Sequence, residues 1–248
     1  MMTSRGQVSI LILLGVFMIL GTIWYISTST TTIRGKLSPT PPSTEQHLSL
    51  ETFARSCLQS STEEALIEVG NMGGSPLGAT FTNDIGYNTS YHILKGKGIV
   101  VSVPQVENSI SRQIERTLSP CLQQWTGPAI SAGSPSVRVE LLPTKTIAHL
   151  TMAISVKIPE GQERINSIDL EVPDTRLSEL IDVSQALTKE QAKDPENICL
   201  SCVYDLSDKF NLLIDMRTLS ADTVAFIISD FTEKPGHRLI FAYQYDVT

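Results

Sequence analysis

The feature that most constrains this chain is an uncharged apolar segment near its start, running from Val8 to Ile26. Its residues are mostly Ile, Leu, Val, Phe, Met and Gly, and none is Asp, Glu, Lys or Arg. As a helix, a segment of this length crosses the hydrocarbon core of a bilayer, which is roughly 30 Å thick. We therefore predict a single transmembrane helix that contacts membrane lipid over residues 8–26.

Three interpretations of residues 1–26 compete: a cleaved secretory signal, a plain membrane anchor and a prepilin-type signal. A secretory signal carries an apolar region of about 7–15 residues before a small-x-small cleavage site. The apolar segment here is longer, and only Thr22, Ser27 and Ser29 offer weak cleavage positions. This length favours a segment that stays attached to the chain.

The residues at the start of the apolar segment favour the prepilin-type signal. Arg5, Gly6, Gln7 and Val8 form a basic-Gly-Gln-Val sequence. It resembles the class III signal peptide of archaeal type IV pilins and pilin-like proteins. The resemblance implies that a prepilin peptidase cuts between Gly6 and Gln7. It also implies that the apolar helix remains as an anchor or packs into a filament core.

The cysteine-bearing segments extend this resemblance. A predicted helix contains Cys57 and ends near Gly73-Gly74, and a second predicted helix closes at Cys121-Leu122. This arrangement is similar to a group of archaeal membrane-anchored proteins that share the Gly-Gln-Val opening. The similarity implies a location and a topology, and it implies no mechanism.

The orientation across the membrane follows only weakly from the charges that flank the apolar segment. Arg5 precedes the segment, whereas Arg34 and Lys36 follow it, so the local count is near balance. The cysteine count, one glycosylation sequon and the signal resemblance favour an outer carboxyl-terminal part. We therefore predict a single-pass protein with a cytoplasmic amino terminus and its main domain outside.

The segment after the apolar helix, residues 27–47, is rich in Ser, Thr and Pro and has no apolar period. This composition is typical of a solvated tether, with O-glycosylation as a less favoured alternative. A filament-forming pilin normally continues its helix from the membrane into its head domain. The tether therefore favours an anchored surface protein over a filament subunit.

The rest of the chain predicts an α+β fold in two parts. Residues 48–127 form a small helical subdomain, with helices over 48–72 and 105–126 and a hairpin between them. A capping box at Ser61 allows the first helix to break, and Pro120 ends the regular part of the second. After a linker-like break at residues 127–135, residues 136–248 form an antiparallel sheet covered by a helix over 175–192.

The four cysteines predict two disulfides if the domain lies outside the cytosol, and a zinc site is the cytosolic alternative. Cys57 and Cys121 lie on or near the apolar sides of two helices that would pack together, so a bridge between them is feasible. Cys199 and Cys202 have the spacing of a redox motif and lie in a predicted loop, which is followed by predicted strands near residues 210–217, 222–230 and 238–245. The motif follows a predicted helix rather than a strand, which favours a local structural disulfide over a redox site. A zinc site would require all four cysteines to meet across the predicted boundary.

The sequence contains no motif that predicts an enzyme, a cofactor or a metal site. The four histidines lie far apart, and there is no HExxH, GxSxG or phosphate-binding loop. A net charge of −7 and an aromatic content of 6% argue against nucleic-acid binding. The one permitted sequon begins at Asn88, which we interpret first as a surface loop and second as a glycosylation site.

Three functional hypotheses follow from the sequence. The leading one is a pilin-like, membrane-anchored surface protein that presents a disulfide-stabilised interaction domain to protein partners. The second is a minor pilin or filament subunit, which requires a helix that continues from residue 7 past residue 50. The third is an extracytoplasmic thiol-disulfide enzyme that uses Cys199 and Cys202.

Overall fold

A computed structural model describes residues 50–74, 81–82, 88–95, 97–158, 161–232 and 234–245. Within these ranges the protein is α+β, with four helices and two sheets. The predicted transmembrane segment 8–26, the processing site at Gly6 and Gln7 and the tether 27–47 lie outside the described residues. None of the four described helices is long and apolar enough to cross a bilayer.

The helices and strands alternate along the described chain. The helices are α1 (Leu50–Asn71), α2 (Val103–Leu122), α3 (Leu177–Gln191) and α4 (Leu200–Phe210). The first strands are β1 (Phe81–Thr82), β2 (Thr89–Leu94), β3 (Lys97–Gly98), β4 (Ile130–Ala132) and β5 (Ser136–Leu142). The later strands are β6 (Lys145–Ile158), β7 (Gly161–Pro173), β8 (Leu213–Thr218), β9 (Thr223–Ser229) and β10 (Arg238–Gln244).

Helix α1 has the predicted apolar face, but it runs unbroken through the capping box that allowed a restart at Ser61. Ser61 is buried, and the neighbouring Thr62 hydroxyl donates to the Leu58 carbonyl at 2.7 Å within the helix. The helix ends where predicted, because Gly73 and Gly74 adopt φ values of +76° and +73°. Glycine reaches this left-handed region at no steric cost, and residues of this kind commonly close helices.

Helix α2 begins with the side chain of Gln105 accepting from the Ser102 backbone N–H at 2.8 Å. Val106, Ile110, Ile114 and Leu118 form the predicted buried stripe. The prediction that Pro120 ends the regular helix is wrong, since α2 continues to Leu122.

The predicted antiparallel meander is confirmed as the smaller sheet. Strand β6 lies at its centre, with β7 on one side and both β5 and β4 on the other. Strand β4 falls inside the predicted linker 127–135 and pairs with the far end of β6, from Ile154 to Val156. The buried side chains of β5, β6 and β7 alternate as the sequence period predicts.

The larger sheet is mixed rather than antiparallel. Its order is β1-β2-β10-β9-β8, with β3 paired to β2. The predicted hairpin is present, but its second strand is Lys97–Gly98, which the sequence assigned to the turn, and not Ile99–Val103. Strand β2 runs parallel to β10, which joins the first predicted subdomain to the end of the chain.

The expected covering of one sheet by the helix over 175–192 is not what the structure contains. Helix α1 contacts β10 of the larger sheet and β7 of the smaller sheet, and α3 contacts β9 and β10 on one side and β5 on the other. Both helices therefore lie between the two sheets. The segment Leu48–Thr248 forms one compact unit.

Helix α4 was not predicted. The sequence pattern predicts a loop around Cys199 and Cys202, followed directly by a strand near residues 210–217. In the structure Cys199 is the N-cap of an eleven-residue helix and Cys202 lies in its first turn, and β8 starts after this helix. The two cysteines therefore lie in a different local structure from the one that the sequence suggested.

Candidate functional site

The first cysteine pair is a covalent link between the two packed helices α1 and α2. Cys57 and Cys121 form a disulfide with a Cα–Cα distance of 5.7 Å, inside the ordinary range for this bond. Cys57 is 1% exposed and belongs to the hydrophobic core, and Cys121 is half-buried and packs against that core. This pair has the environment of an inert structural disulfide.

The second cysteine pair lies at the surface and caps a helix. Cys199 and Cys202 form a disulfide, and both residues are half-buried. Cys199 is the N-cap of α4, and its sulfur accepts from the Cys202 backbone N–H at 3.3 Å. Sulfur at this position faces the positive end of the helix dipole, which stabilises a thiolate when the disulfide is open.

The buried side chain of Gln191, at the end of α3, positions this disulfide. Its amide nitrogen donates to the backbone carbonyls of Asp194, at 3.0 Å, and Asn197. Its carbonyl oxygen accepts from the Cys199 N–H at 2.9 Å. Gln191 is 1% exposed, so these bonds form in a dry setting where leaving a group unpaired would be costly. The hydrogen bonds of the Gln191 side-chain amide therefore fix the loop between α3 and α4.

Exposed apolar side chains border the disulfide. Leu200 is 62% exposed and Tyr204 is 72% exposed, four residues apart on one face of α4. Val203, which lies beside this face, is buried. The surface beside Cys199 and Cys202 is thus apolar enough to contact another polypeptide.

A second cluster of titratable groups lies at the turn between β9 and β10. The buried His237 contacts the Asp230 carboxylate through Nδ1 and the Asp174 backbone carbonyl through Nε2. Burial raises the pKa of Asp230, but hydrogen bonds from His237 and Thr232 outweigh it and hold that pKa below its usual value. Because both ring nitrogens of His237 are engaged, this cluster ties the turn to the start of α3 and leaves no nitrogen for base catalysis.

An open groove of about 620 Å³ follows the exposed side of α1. Its lining includes Glu63, Glu64, Glu68, Ile67 and Asn88. Glu68 is already bound by Arg116 at 3.2 Å and by Gln113. Among the described residues, no group of three or more His, Cys, Asp or Glu side chains could hold a metal ion.

The sequon residue Asn88 is exposed at the start of β2, whereas the third sequon residue is not. Ser90 is fully buried, and its hydroxyl donates to the Met72 carbonyl at 2.8 Å. Attachment of a glycan at Asn88 would therefore have to precede the folding of β2. The candidate processing residues Gly6 and Gln7 lie outside the described ranges.

Comparison with known proteins identifies no matching family model, no matching curated protein and no matching solved structure. The site is therefore defined by its own geometry. The structure confirms both disulfides, but it assigns them different settings: one lies in the core and one caps an exposed helix. Neither helix α4 nor the role of Gln191 was predicted from the sequence, although Leu200, Val203 and Leu206 after Cys199 have a short helical period.

Proposed function

We propose that this protein is a membrane-tethered, extracytoplasmic protein of pilin-like type that presents a disulfide-stabilised domain for interaction with protein partners. The observation that carries the proposal is that all four cysteines are paired. Two disulfides in a chain of this size are typical of an oxidising compartment. The apolar segment 8–26 supplies the membrane anchor.

The chain start supports the pilin-like part of the proposal. The Arg5-Gly6-Gln7-Val8 sequence fits processing by a prepilin peptidase after Gly6, which leaves the apolar helix at the new amino terminus. The Ser/Thr/Pro-rich residues 27–47 then separate the membrane from the folded domain. In this arrangement the amino terminus is cytoplasmic and the domain is outside.

Mass spectrometry of the full chain extracted from membranes under non-reducing conditions tests this proposal. We expect a mature chain that begins at Gln7 and retains both disulfides. A Gly6→Val variant should keep the leader, whereas Gly15→Val, inside the apolar segment, should be processed normally. A wild-type chain that begins at Met1, or four free thiols, would contradict the proposal.

A second candidate function is thiol-disulfide exchange, and the position of Cys199 at the start of α4 favours it. In such a reaction two thiols of a partner protein are oxidised to a disulfide. The Cys199–Cys202 bond accepts the two electrons and opens to two thiols, with the protons carried over from the partner. Leu200 and Tyr204 supply apolar contact for the partner chain.

The rate at which the oxidised protein converts a dithiol peptide to its disulfide tests the second candidate. The wild-type rate should exceed that of the Cys199→Ala/Cys202→Ala variant at least about tenfold. The Cys57→Ala/Cys121→Ala variant, assayed at a temperature at which it is still folded, is the matched control and should keep the wild-type rate. Equal rates for wild type and the Cys199/Cys202 variant would exclude this function and leave the first proposal untouched.

A further inference from the structure

Strand β8 is an exposed edge of the larger sheet. It pairs with β9 on one side and has no second strand partner among the described residues. Its residues Leu213, Asp215, Arg217 and Thr218 are exposed. An open edge of this kind presents unpaired N–H and C=O groups that another strand can bind.

The two faces of β8 differ in chemistry. On the outer face Asp215 and Arg217 follow the exposed Leu213, and their charged groups approach to 3.5 Å. On the inner face Ile214 and Met216 are half-buried against the hydrophobic core. A strand that pairs with β8 must therefore place charges complementary to Asp215 and Arg217 on one face and apolar side chains beside Ile214 and Met216 on the other.

A second copy of β8 satisfies both rows in one antiparallel register. In an antiparallel pair, the side chains of directly opposite residues point to the same face of the sheet. A twofold axis perpendicular to the sheet therefore passes midway between one residue of β8 and the same residue of the second copy, and that residue identifies the register. An axis through Asp215 would oppose two aspartates, and an axis through Arg217 would oppose two arginines. An axis through Met216 instead places Asp215 opposite Arg217 of the second copy, twice, and Met216 opposite its own equivalent.

We propose that two copies of this protein associate through β8 in the antiparallel register centred on Met216. The pairing joins two larger sheets into one continuous sheet, with Ile214–Thr218 of each copy in contact. Self-pairing is the occupant that the charge pattern selects, because the Asp215–Arg217 order complements itself only in this register.

This inference rests on the proposed membrane tether for its strength. A contact of one short strand per copy buries less surface than the roughly 1,200 Å² typical of stable complexes. Tethering both copies to one membrane converts the encounter into a local one and raises the effective concentration. The dimer should therefore form in membranes and dissociate on dilution in detergent.

Cross-linking of the full chain in its membrane tests the proposed register. In a Met216→Cys variant the two new thiols lie opposite each other, within reach of a disulfide. Mild copper-catalysed oxidation should yield a covalent dimer on a non-reducing gel. Arg217→Cys is the matched control. In this variant each new thiol lies opposite Asp215 of the second copy, two residues away from the other thiol, so the variant should yield at least about fivefold less dimer.

Charge exchange in the Met216→Cys background tests the complementarity. Adding Asp215→Arg opposes arginine to arginine and should reduce the dimer about tenfold, whereas Asp215→Arg with Arg217→Asp should restore it. Equal yields from Met216→Cys and Arg217→Cys, no dimer at either position, or Met216→Cys adducts with a different protein would overturn the inference.

The two proposals fail in different ways. The same membrane sample reports the mature amino terminus and both native disulfides by mass spectrometry. A correctly processed and oxidised chain that gives no cross-link excludes the β8 dimer alone. If the chain is not membrane-bound, cross-linking of concentrated protein still tests the β8 register, since the charge pattern does not depend on the tether.

Discussion

Gly70 lies where α1 packs closely against β10. A Cβ atom built on this residue would lie 2.3 Å from the Arg238 backbone carbonyl oxygen, which cannot move without shifting β10. Alanine would gain about 1 kcal/mol of helix propensity, but the clash should cost more. This residue therefore sets the distance between the helix layer and the larger sheet.

We expect Gly70→Ala to lower the free energy of unfolding by about 1–2 kcal/mol, measured by urea titration of a chain that begins at Leu48. Gly133→Ala is the control, because its nearest neighbouring heavy atom would lie 3.7 Å from the new Cβ. That variant should stay within about 0.5 kcal/mol of wild type. A stabilised Gly70→Ala variant would show that α1 and β10 are less tightly apposed than described.

His92 makes folding sensitive to acid. Its ring is 2% exposed, stacks on Phe241 at 4.3 Å and contacts the Gly73 carbonyl through Nε2 at 3.0 Å. Burial lowers the pKa of His92 from 6.5 to about 4, although the bond to Gly73 acts in the opposite direction. Between these two pH values the unfolded chain binds a proton that the folded chain excludes, so stability is lost as the pH falls.

We therefore expect the free energy of unfolding to fall by about 3 kcal/mol between pH 7 and pH 4 because of His92 alone. In His92→Gln, whose amide can still donate to the Gly73 carbonyl, this part of the pH dependence should disappear. The two proteins should differ in slope above pH 4. Asp222 contributes at lower pH, because the hydroxyl of Ser220 and the amide of Gln244 lower its pKa to about 2. Identical slopes for both proteins would refute the assignment.

At the scale of single elements, periodicity predicted the long helices and strands well. Val106, Ile110, Ile114 and Leu118 recur every four residues and are all buried in α2. Helix α4 escaped prediction because it is short and exposes Leu200 and Tyr204, which blurs its apolar stripe. The role of Gln191 was equally hidden, since a lone glutamine gives no sequence signal for a buried amide that holds a loop.

The different settings of the two disulfides predict the order in which they are reduced. Cys57 is 1% exposed between α1 and α2 and its partner Cys121 is half-buried against the core, whereas both residues of the Cys199–Cys202 pair are half-buried at a helix start. A thiol reductant must reach sulfur directly, so access controls the rate. In native protein, limited dithiothreitol followed by alkylation and mass spectrometry should label Cys199 and Cys202 first. Labelling of Cys57 and Cys121 at the same rate would contradict this difference in access.

At the scale of the whole molecule, the pairing of strands that lie far apart in the chain could not be predicted from the sequence. The local pattern of Tyr91–Leu94 predicted a strand, but nothing in it identified β10 as its parallel neighbour. The division into two sheets is likewise a property of the assembled chain, because α1 and α3 bury apolar residues toward both sheets at once. The alternation in β5, β6 and β7 identified a buried face without identifying the helices that cover it.

The two disulfides should differ in what they contribute to this assembly. Cys57 and Cys121 are separated by 64 residues, so their bond removes far more unfolded-state freedom than the bond between Cys199 and Cys202, separated by 3. The chain-entropy relation gives about 4 kcal/mol for the first and about 2 kcal/mol for the second. Urea titrations of Cys57→Ala/Cys121→Ala and Cys199→Ala/Cys202→Ala, each in a chain that begins at Leu48, measure both values.

The buried position of Cys57 adds to the expected loss, because alanine leaves the volume of a sulfur atom unfilled in the core. The first variant should therefore be the less stable of the two by at least about 2 kcal/mol. Its effect should appear as global unfolding, since α1 contacts strands of both sheets. Loss of the second disulfide should leave this core folded and loosen only the start of α4. A larger loss from the second pair would mean that the loop held by Gln191, rather than the bridge between α1 and α2, limits the stability of the domain.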